Sequence, residues 1–145
     1  MALVLVATGA YRTFAQTGGQ TAAQTSAPKQ PATQPKAAAR STLSGVYTTA
    51  QADKGEDTYF GICITCHPRG TYAGDSFKKN WNGRPLSDLY DWVLNKMPKS
   101  APGTLSPAES IQVIAYILRE NKMPPGGVAL PANAATLRTI RIQLK

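Results

Sequence analysis

The chain has 145 residues, 42% of them hydrophobic, and a formal net charge of +8. The charge lies mainly in the flanks, because residues 45–126 hold nine Lys or Arg and all eight Asp or Glu. The basic flanks, residues 16–44 and 127–145, contain no aromatic residue that could stack on bases, so composition argues against a nucleic-acid partner.

The N-terminal region predicts an exported protein. Residues 2–10 form a short apolar run, and residues 13–15 resemble a small-residue cleavage site, so residues 1–15 are predicted to be a signal peptide. Nine residues are too few to span a bilayer, and we expect no transmembrane span in the mature, periplasmic chain. Residues 16–44, rich in Gln, Thr, Ala, Pro and Lys, predict a disordered linker.

The two cysteines and the single histidine fall together as Cys63, Cys66 and His67 in a C-x-x-C-H motif. This motif indicates covalent c-type haem attachment, because each thiol can form a thioether to one vinyl group and the histidine becomes the proximal iron ligand. Since no thiol is left over, we expect one covalent haem c. Three other interpretations of the motif fit less well. A zinc site normally needs four Cys or His ligands, and the chain has only these three. A thioredoxin-like pair would need an alternating strand and helix pattern, and a simple disulfide would leave His67 unexplained.

Two helices are predicted after the motif. Residues 86–96 predict a middle helix capped by Ser87. Ser106 and Glu109 form a capping box ahead of an apolar run that ends near Asn121, which predicts a C-terminal helix with a broad buried face. The tail, residues 127–145, ends in strict alternation of apolar and polar residues. This alternation predicts an extended strap, packed either against the domain or against a partner.

With these features the chain resembles a class I cytochrome c over residues 45–126. The resemblance implies an all-α fold in which the N- and C-terminal helices cross around one covalent haem. Gly55 and Tyr59 precede Cys63 by eight and four residues, on one helical face. In the family such residues form the crossing, and Tyr116 is the expected partner; the alternative is a chance glycine in a weak helix.

The resemblance also implies the remaining site residues. Met97, followed by proline after the middle helix, matches the sixth iron ligand, and Met123 is its competitor. Trp81 and Arg84 lie in a stretch that in similar domains lines the propionate edge of the haem, where an indole N–H and a guanidinium are suitable donors. The alternative is that Trp81 is plain core and Arg84 a solvated charge.

The implied function is electron transfer rather than catalysis. The domain is similar to the cytochrome domain of quinohaemoprotein alcohol dehydrogenases, which implies a dehydrogenase donor and an oxidase or membrane-complex acceptor as redox partners. Lys96 and Lys99 bracket Met97 and would steer an acidic partner, unless they belong to an ordinary solvated surface. The alternatives are a fixed subunit of a larger membrane redox complex, and a haem enzyme or gas sensor with a labile sixth ligand.

Overall fold

The computed structural model describes residues 40–145. In chain order the elements are β1 (Arg40–Ser41), a 3-10 turn (Thr42–Ser44), α1 (Thr49–Thr58), a π-helical turn (Tyr59–Cys63), α2 (Gly74–Trp81), α3 (Leu86–Lys96), α4 (Pro107–Glu120), α5 (Ala134–Arg138) and β2 (Ile140–Arg141). The described part of the chain is mainly helical, which confirms the all-α class. The predicted signal peptide and residues 16–39 of the predicted linker lie outside the described residues.

Helices α1 and α4 cross in close contact at Gly55. A Cβ atom on Gly55 would lie 1.8 Å from the carbonyl oxygen of Gln112 and 3.0 Å from the amide nitrogen of Val113. Only glycine allows two backbones to approach so closely. One turn later the ring centroids of Tyr59 and Tyr116 are 5.0 Å apart, an aromatic contact that extends the crossing. The predicted crossing is confirmed.

Charged side chains join the two helices beside the crossing. Arg119 of α4 donates to the carboxylates of Asp53 and Glu56 of α1, at 2.6 Å in each case. Arg69 donates to the other carboxylate oxygen of Glu56, also at 2.6 Å. Because these groups are partly exposed, each pair contributes little to stability.

Helix α4 begins with the predicted capping box. The Oγ of Ser106 accepts a hydrogen bond from the amide of Glu109 at 3.2 Å, and the Glu109 carboxylate accepts one from the amide of Ser106 at 2.8 Å. Pro107 takes the first helical position, where an amide hydrogen is not needed. The apolar face behind the cap is buried along the helix, at Ile111, Val113, Ile114, Ala115, Tyr116, Ile117 and Leu118. The predicted C-terminal helix is therefore confirmed.

Helix α3 has its predicted bounds but not its predicted cap. The N-cap residue is Pro85, in an extended conformation, and no side chain caps the helix. Ser87 lies inside the first turn and only 2% of its surface is exposed. The prediction of Ser87 as the cap is wrong because the proline already ends the preceding loop, and the helix starts directly after it.

The C-terminal segment, residues 127–145, packs against the domain. Ile140 and Ile142 are buried, whereas Arg141 and Gln143 are exposed. This alternation is what a strand with one buried face requires. Of the two predicted alternatives for the strap, packing against the domain is the one observed.

The segment before the predicted domain, residues 40–44, joins this strap. β1 pairs in parallel with β2, with Arg40 opposite Ile140. The hydroxyl of Thr42, itself fully buried, donates to the carbonyl of Gln143 at 3.0 Å. Both segments lie outside the predicted bounds of the domain, residues 45–126, yet their backbone groups pair with each other and their apolar side chains pack against the core.

Candidate functional site

The C-x-x-C-H motif lies at the end of the π-helical turn that extends α1. The amide of Ile64 donates to the carbonyl of Tyr59, five residues back, at 3.0 Å. The chain then closes on itself, since the amides of Cys66 and His67 both donate to the carbonyl of Cys63, at 3.2 and 2.9 Å. The three motif side chains therefore project from one compact turn. Single π-helical turns of this kind frequently occur at functional sites.

Cys63, Cys66 and His67 line a cavity of about 530 Å³. This volume falls in the range of cofactor pockets, roughly 300–1,000 Å³. The apolar part of the wall comes from α2, α3, α4 and the loop before α4, at Trp81, Leu89, Val93, Leu105, Val113 and Ile117. A wall of this composition suits a large, flat, apolar group, and the two thiols on it are placed to bond that group covalently. The residues present thus fit a c-type haem.

The two methionines that are candidates for the sixth iron ligand lie in different environments. Met97 is half-buried directly after α3 and lines the cavity. Its carbonyl accepts a hydrogen bond from the amide of Gly103 at 3.3 Å, which closes the loop that carries it. Met123 is 3% exposed and is not part of the cavity wall. Its carbonyl accepts a hydrogen bond from the Tyr47 hydroxyl at 2.6 Å, so Met123 is a residue of the protein core.

The structure brings Trp81 to the cavity but not Arg84. Trp81 lines the wall, whereas the guanidinium of Arg84 forms an ion pair with Asp88, with a nitrogen–oxygen distance of 2.9 Å. The Arg84 guanidinium carbon also lies 4.6 Å from the Trp81 ring centroid. Arg84 is held away from the wall by a carboxylate four residues later, a spacing at which opposite charges meet at a helix surface.

The surroundings of Cys63 do not favour a redox-active thiol pair. Neither Cys63 nor Cys66 is in a disulfide. Burial raises the pKa of Cys63, whereas reactive C-x-x-C pairs depend on a thiolate with a lowered pKa. Within residues 40–145, no group of three or more His, Cys, Asp or Glu side chains is arranged to hold a metal ion by itself. The described residues therefore give no support to the thioredoxin-like or zinc alternatives.

Two tyrosines contact His67 in ways that sequence analysis missed. The Tyr72 hydroxyl lies 3.2 Å from each ring nitrogen of His67. The Tyr59 hydroxyl donates to the backbone carbonyl of His67 at 2.7 Å. Burial is the main cause that raises the pKa of Tyr59 to about 12, so this hydroxyl stays a donor at neutral pH. Tyr72 lies in a loop without periodicity, where no sequence pattern indicates the direction of a side chain.

The helix crossing, the anchoring thiols and the apolar cavity together mark this domain as a class I c-type cytochrome. Comparison with protein families agrees, since residues 50–117 match the family model described as cytochrome C oxidase, cbb3-type, subunit III. A domain of this class transfers electrons and is not an enzyme. Its cofactor is haem c, and its partners are redox proteins.

Neither a curated protein nor a solved structure matches the chain. The similarity to the cytochrome domain of quinohaemoprotein alcohol dehydrogenases therefore stays a prediction. None of the helices within residues 40–145 is both long and apolar enough to cross a membrane.

Proposed function

We propose that the chain is a single-electron carrier in a periplasmic respiratory or dehydrogenase-linked chain, with one covalent haem c ligated by His67 and Met97. The observation that carries the proposal is the cavity of about 530 Å³, because the fold brings the motif and Met97 to the same wall. The predicted signal peptide supports the periplasmic location.

Four residues of the wall would bind the haem, and each has its own role. Cys63 and Cys66 would hold the haem through two thioethers, each made by addition of an S–H group across a vinyl group with no leaving group. His67, the next residue, presents an imidazole nitrogen to the iron. When bound, haem supplies a one-electron ferric and ferrous couple. The thioether of Met97 is a weak donor that favours the ferrous state and raises the reduction potential relative to stronger ligands.

The rim of the cavity supports a role in transient docking. Ile62 and Trp92 line the cavity and remain 41% and 49% exposed. Lys99 also lines the cavity, and Lys96 ends α3 beside Met97. Neither lysine forms an ion pair with another of the residues 40–145. Exposed apolar area beside unpaired positive charge suits a brief, salt-sensitive encounter with an acidic redox partner.

The proposed axial ligation is tested by the ferric absorption spectra of haem-loaded Met97→Leu and Met123→Leu variants. Leucine keeps the approximate volume of methionine and removes the sulfur. We expect only Met97→Leu to lose the far-red sulfur-to-iron charge-transfer band. Loss of the band only in Met123→Leu would overturn the ligand assignment. If the unsubstituted protein lacks the band and binds carbon monoxide readily when reduced, the sixth site is open and the enzyme or sensor alternative is favoured.

A second candidate is a fixed cytochrome subunit of a larger membrane redox complex. The observation in its favour is the matching family, which is described as a subunit of a cbb3-type oxidase. The two candidate functions predict different behaviour of the full-length chain when native membranes are washed at high salt. A carrier held by charge should be released as the free chain in a high-salt wash. Co-purification with an oxidase complex through high-salt steps would favour the fixed subunit.

A further inference from the structure

The outer side of α3 carries a groove beside the cavity. The groove has a volume of about 450 Å³, and the six residues that line it, here called the α3 face, are Arg84, Asp88, Asp91, Trp92, Asn95 and Lys96. Trp92 is 49% exposed and lines both the groove and the cavity. Aromatic side chains are enriched in protein interfaces relative to the rest of the surface. The exposed ring therefore indicates that the α3 face contacts another protein.

Opposite charges flank Trp92 on the α3 face. Asp91 directly precedes Trp92, Lys96 follows it by four residues, and both side chains are exposed. At about 1.5 Å of rise and about 100° of rotation per residue, Asp91 and Lys96 lie roughly 7 Å apart along the helix axis and roughly 140° apart around it, with Trp92 between them. Neither Asp91 nor Lys96 forms an ion pair with another of the residues 40–145, whereas Asp88 is already paired with Arg84 at 2.9 Å. Charges of both signs are therefore available to a partner.

The partner that fits this arrangement is a second copy of the chain. Any partner must place a cation against Asp91 and an anion against Lys96, on the two sides of Trp92. In a two-fold symmetric pair, residue i of one copy contacts residue j of the other, and j contacts i. A second copy therefore supplies both countercharges at the required separation. Because each copy has a formal net charge of +8, the copies repel each other at long range, and we expect a weak contact.

We propose that the α3 face is a two-fold symmetric contact between two copies of this chain. Asp91 of each copy pairs with Lys96 of the other, and the two Trp92 rings meet near the symmetry axis. Because Trp92 also lines the cavity, the contact brings the two cavities to one interface. With haem bound, one electron would pass there from a ferrous copy to a ferric copy. The contact itself does not depend on which residues ligate the iron.

Charge reversal tests the contact in the haem-loaded, full-length chain, with sedimentation equilibrium as the measurement. We expect the unsubstituted chain to show a reversible monomer–dimer equilibrium. Asp91→Lys or Lys96→Asp places like charges opposite each other, and the symmetry repeats the effect at two pairs. Each variant should therefore dimerise about tenfold more weakly or worse. An equal mixture of the two variants should recover the dimer, because the positive face of one variant meets the negative face of the other.

The matched controls make the same two charge reversals on α1. Asp57→Lys and Lys54→Asp change exposed side chains that neither line the groove nor form an ion pair within residues 40–145. They should dimerise as the unsubstituted chain does, and circular dichroism confirms the fold of all four variants. A chain that stays monomeric at every concentration would overturn the inference and leave the α3 face to a different protein. A mixture that dimerises no better than its components, or controls that dimerise as weakly as the α3 variants, would also overturn it.

Discussion

The α1–α4 crossing is tightly packed, whereas the cavity beside it is open. At the crossing, a Cβ atom on Gly55 would lie 1.8 Å from a carbonyl oxygen of the facing helix. The cavity instead leaves about 530 Å³ open among its wall residues, and Tyr59 and Val113 belong to both regions. Protein atoms alone complete the crossing, whereas the cavity is complete only with its cofactor. The polypeptide therefore supplies a frame, and under the proposed function a haem would fill the other half.

Removing the covalent anchors is the strongest way to break this contrast. At roughly 24 cal/mol per Å³ of empty cavity, a volume of about 530 Å³ sets an upper bound on the order of 10 kcal/mol, comparable to the whole stability of a domain. We expect the Cys63→Ala, Cys66→Ala double variant to lose near-ultraviolet circular dichroism and cooperative unfolding. The single Cys66→Ala variant, which keeps one thioether, is the control. A cooperative transition in the double variant without haem would show that the frame folds by itself.

Adding one methyl group at the crossing tests the other half of the contrast. In Gly55→Ala the new Cβ meets helix backbone, which cannot move aside as a side chain can. Overpacking of this kind costs typically 1–3 kcal/mol and occasionally more, and we expect at least ~3 kcal/mol in denaturant unfolding of the haem-loaded protein. Gly61→Ala is the control, because a Cβ there meets nothing within 4 Å. Equal stability of the two variants would contradict the close approach of the helices.

The C-terminal strap extends the protein-filled half, and Ile142 tests it. Ile142 is 0% exposed, and its backbone exchanges hydrogen bonds with Gly83 and Arg84 at 2.7 and 2.9 Å. Replacing a buried isoleucine with alanine costs about 2–5 kcal/mol, and thermal unfolding of Ile142→Ala should show a loss within this range. Val128→Ala lies in the same segment at a side chain that is 72% exposed. It should change stability by less than about 0.5 kcal/mol. A silent Ile142→Ala would mean that the strap does not contribute to the core.

We expect the smallest loss of stability from a substitution at the start of α4. Ser106→Ala removes the side chain that accepts from the amide of Glu109. Loss of an N-cap of this type costs about 1 kcal/mol, and equilibrium unfolding in denaturant measures it. Ser76→Ala replaces an exposed serine within α2 and should be nearly neutral. If both substitutions change the stability equally, the capping box does not stabilise α4.

Some of the site and fold could be predicted because the signals are local. The C-x-x-C-H motif is contiguous, the capping box spans four residues, and the apolar run of α4 repeats at helical spacing. The pairing of Arg84 with Asp88 also had a local signal, the spacing of four residues, which sequence analysis did not use when it left Arg84 as either a cofactor contact or a solvated charge. Local patterns thus carry information whenever the partners are close along the chain.

Other features depend on partners that are distant along the chain. The buried Thr42 and its partner Gln143 come from opposite ends of the described residues, so neither linker composition nor tail alternation identifies the pair. Likewise Tyr72, which contacts His67, lies in a loop whose backbone accepts a hydrogen bond from Asn121 at the end of α4. Composition predicts that a segment lacks its own core, but it cannot show that another segment covers it.

The sequence by itself predicted the haem-attachment motif and determined the helical frame, because thiol spacing, caps and apolar periodicity act over a few residues. Only the tertiary structure decided that Met97 and not Met123 lines the cavity, that Arg84 turns to Asp88, and that both ends of residues 40–145 close on the core. The physical reason is packing: which side chain occupies a given space depends on all of its neighbours at once, and most of those neighbours are distant along the chain.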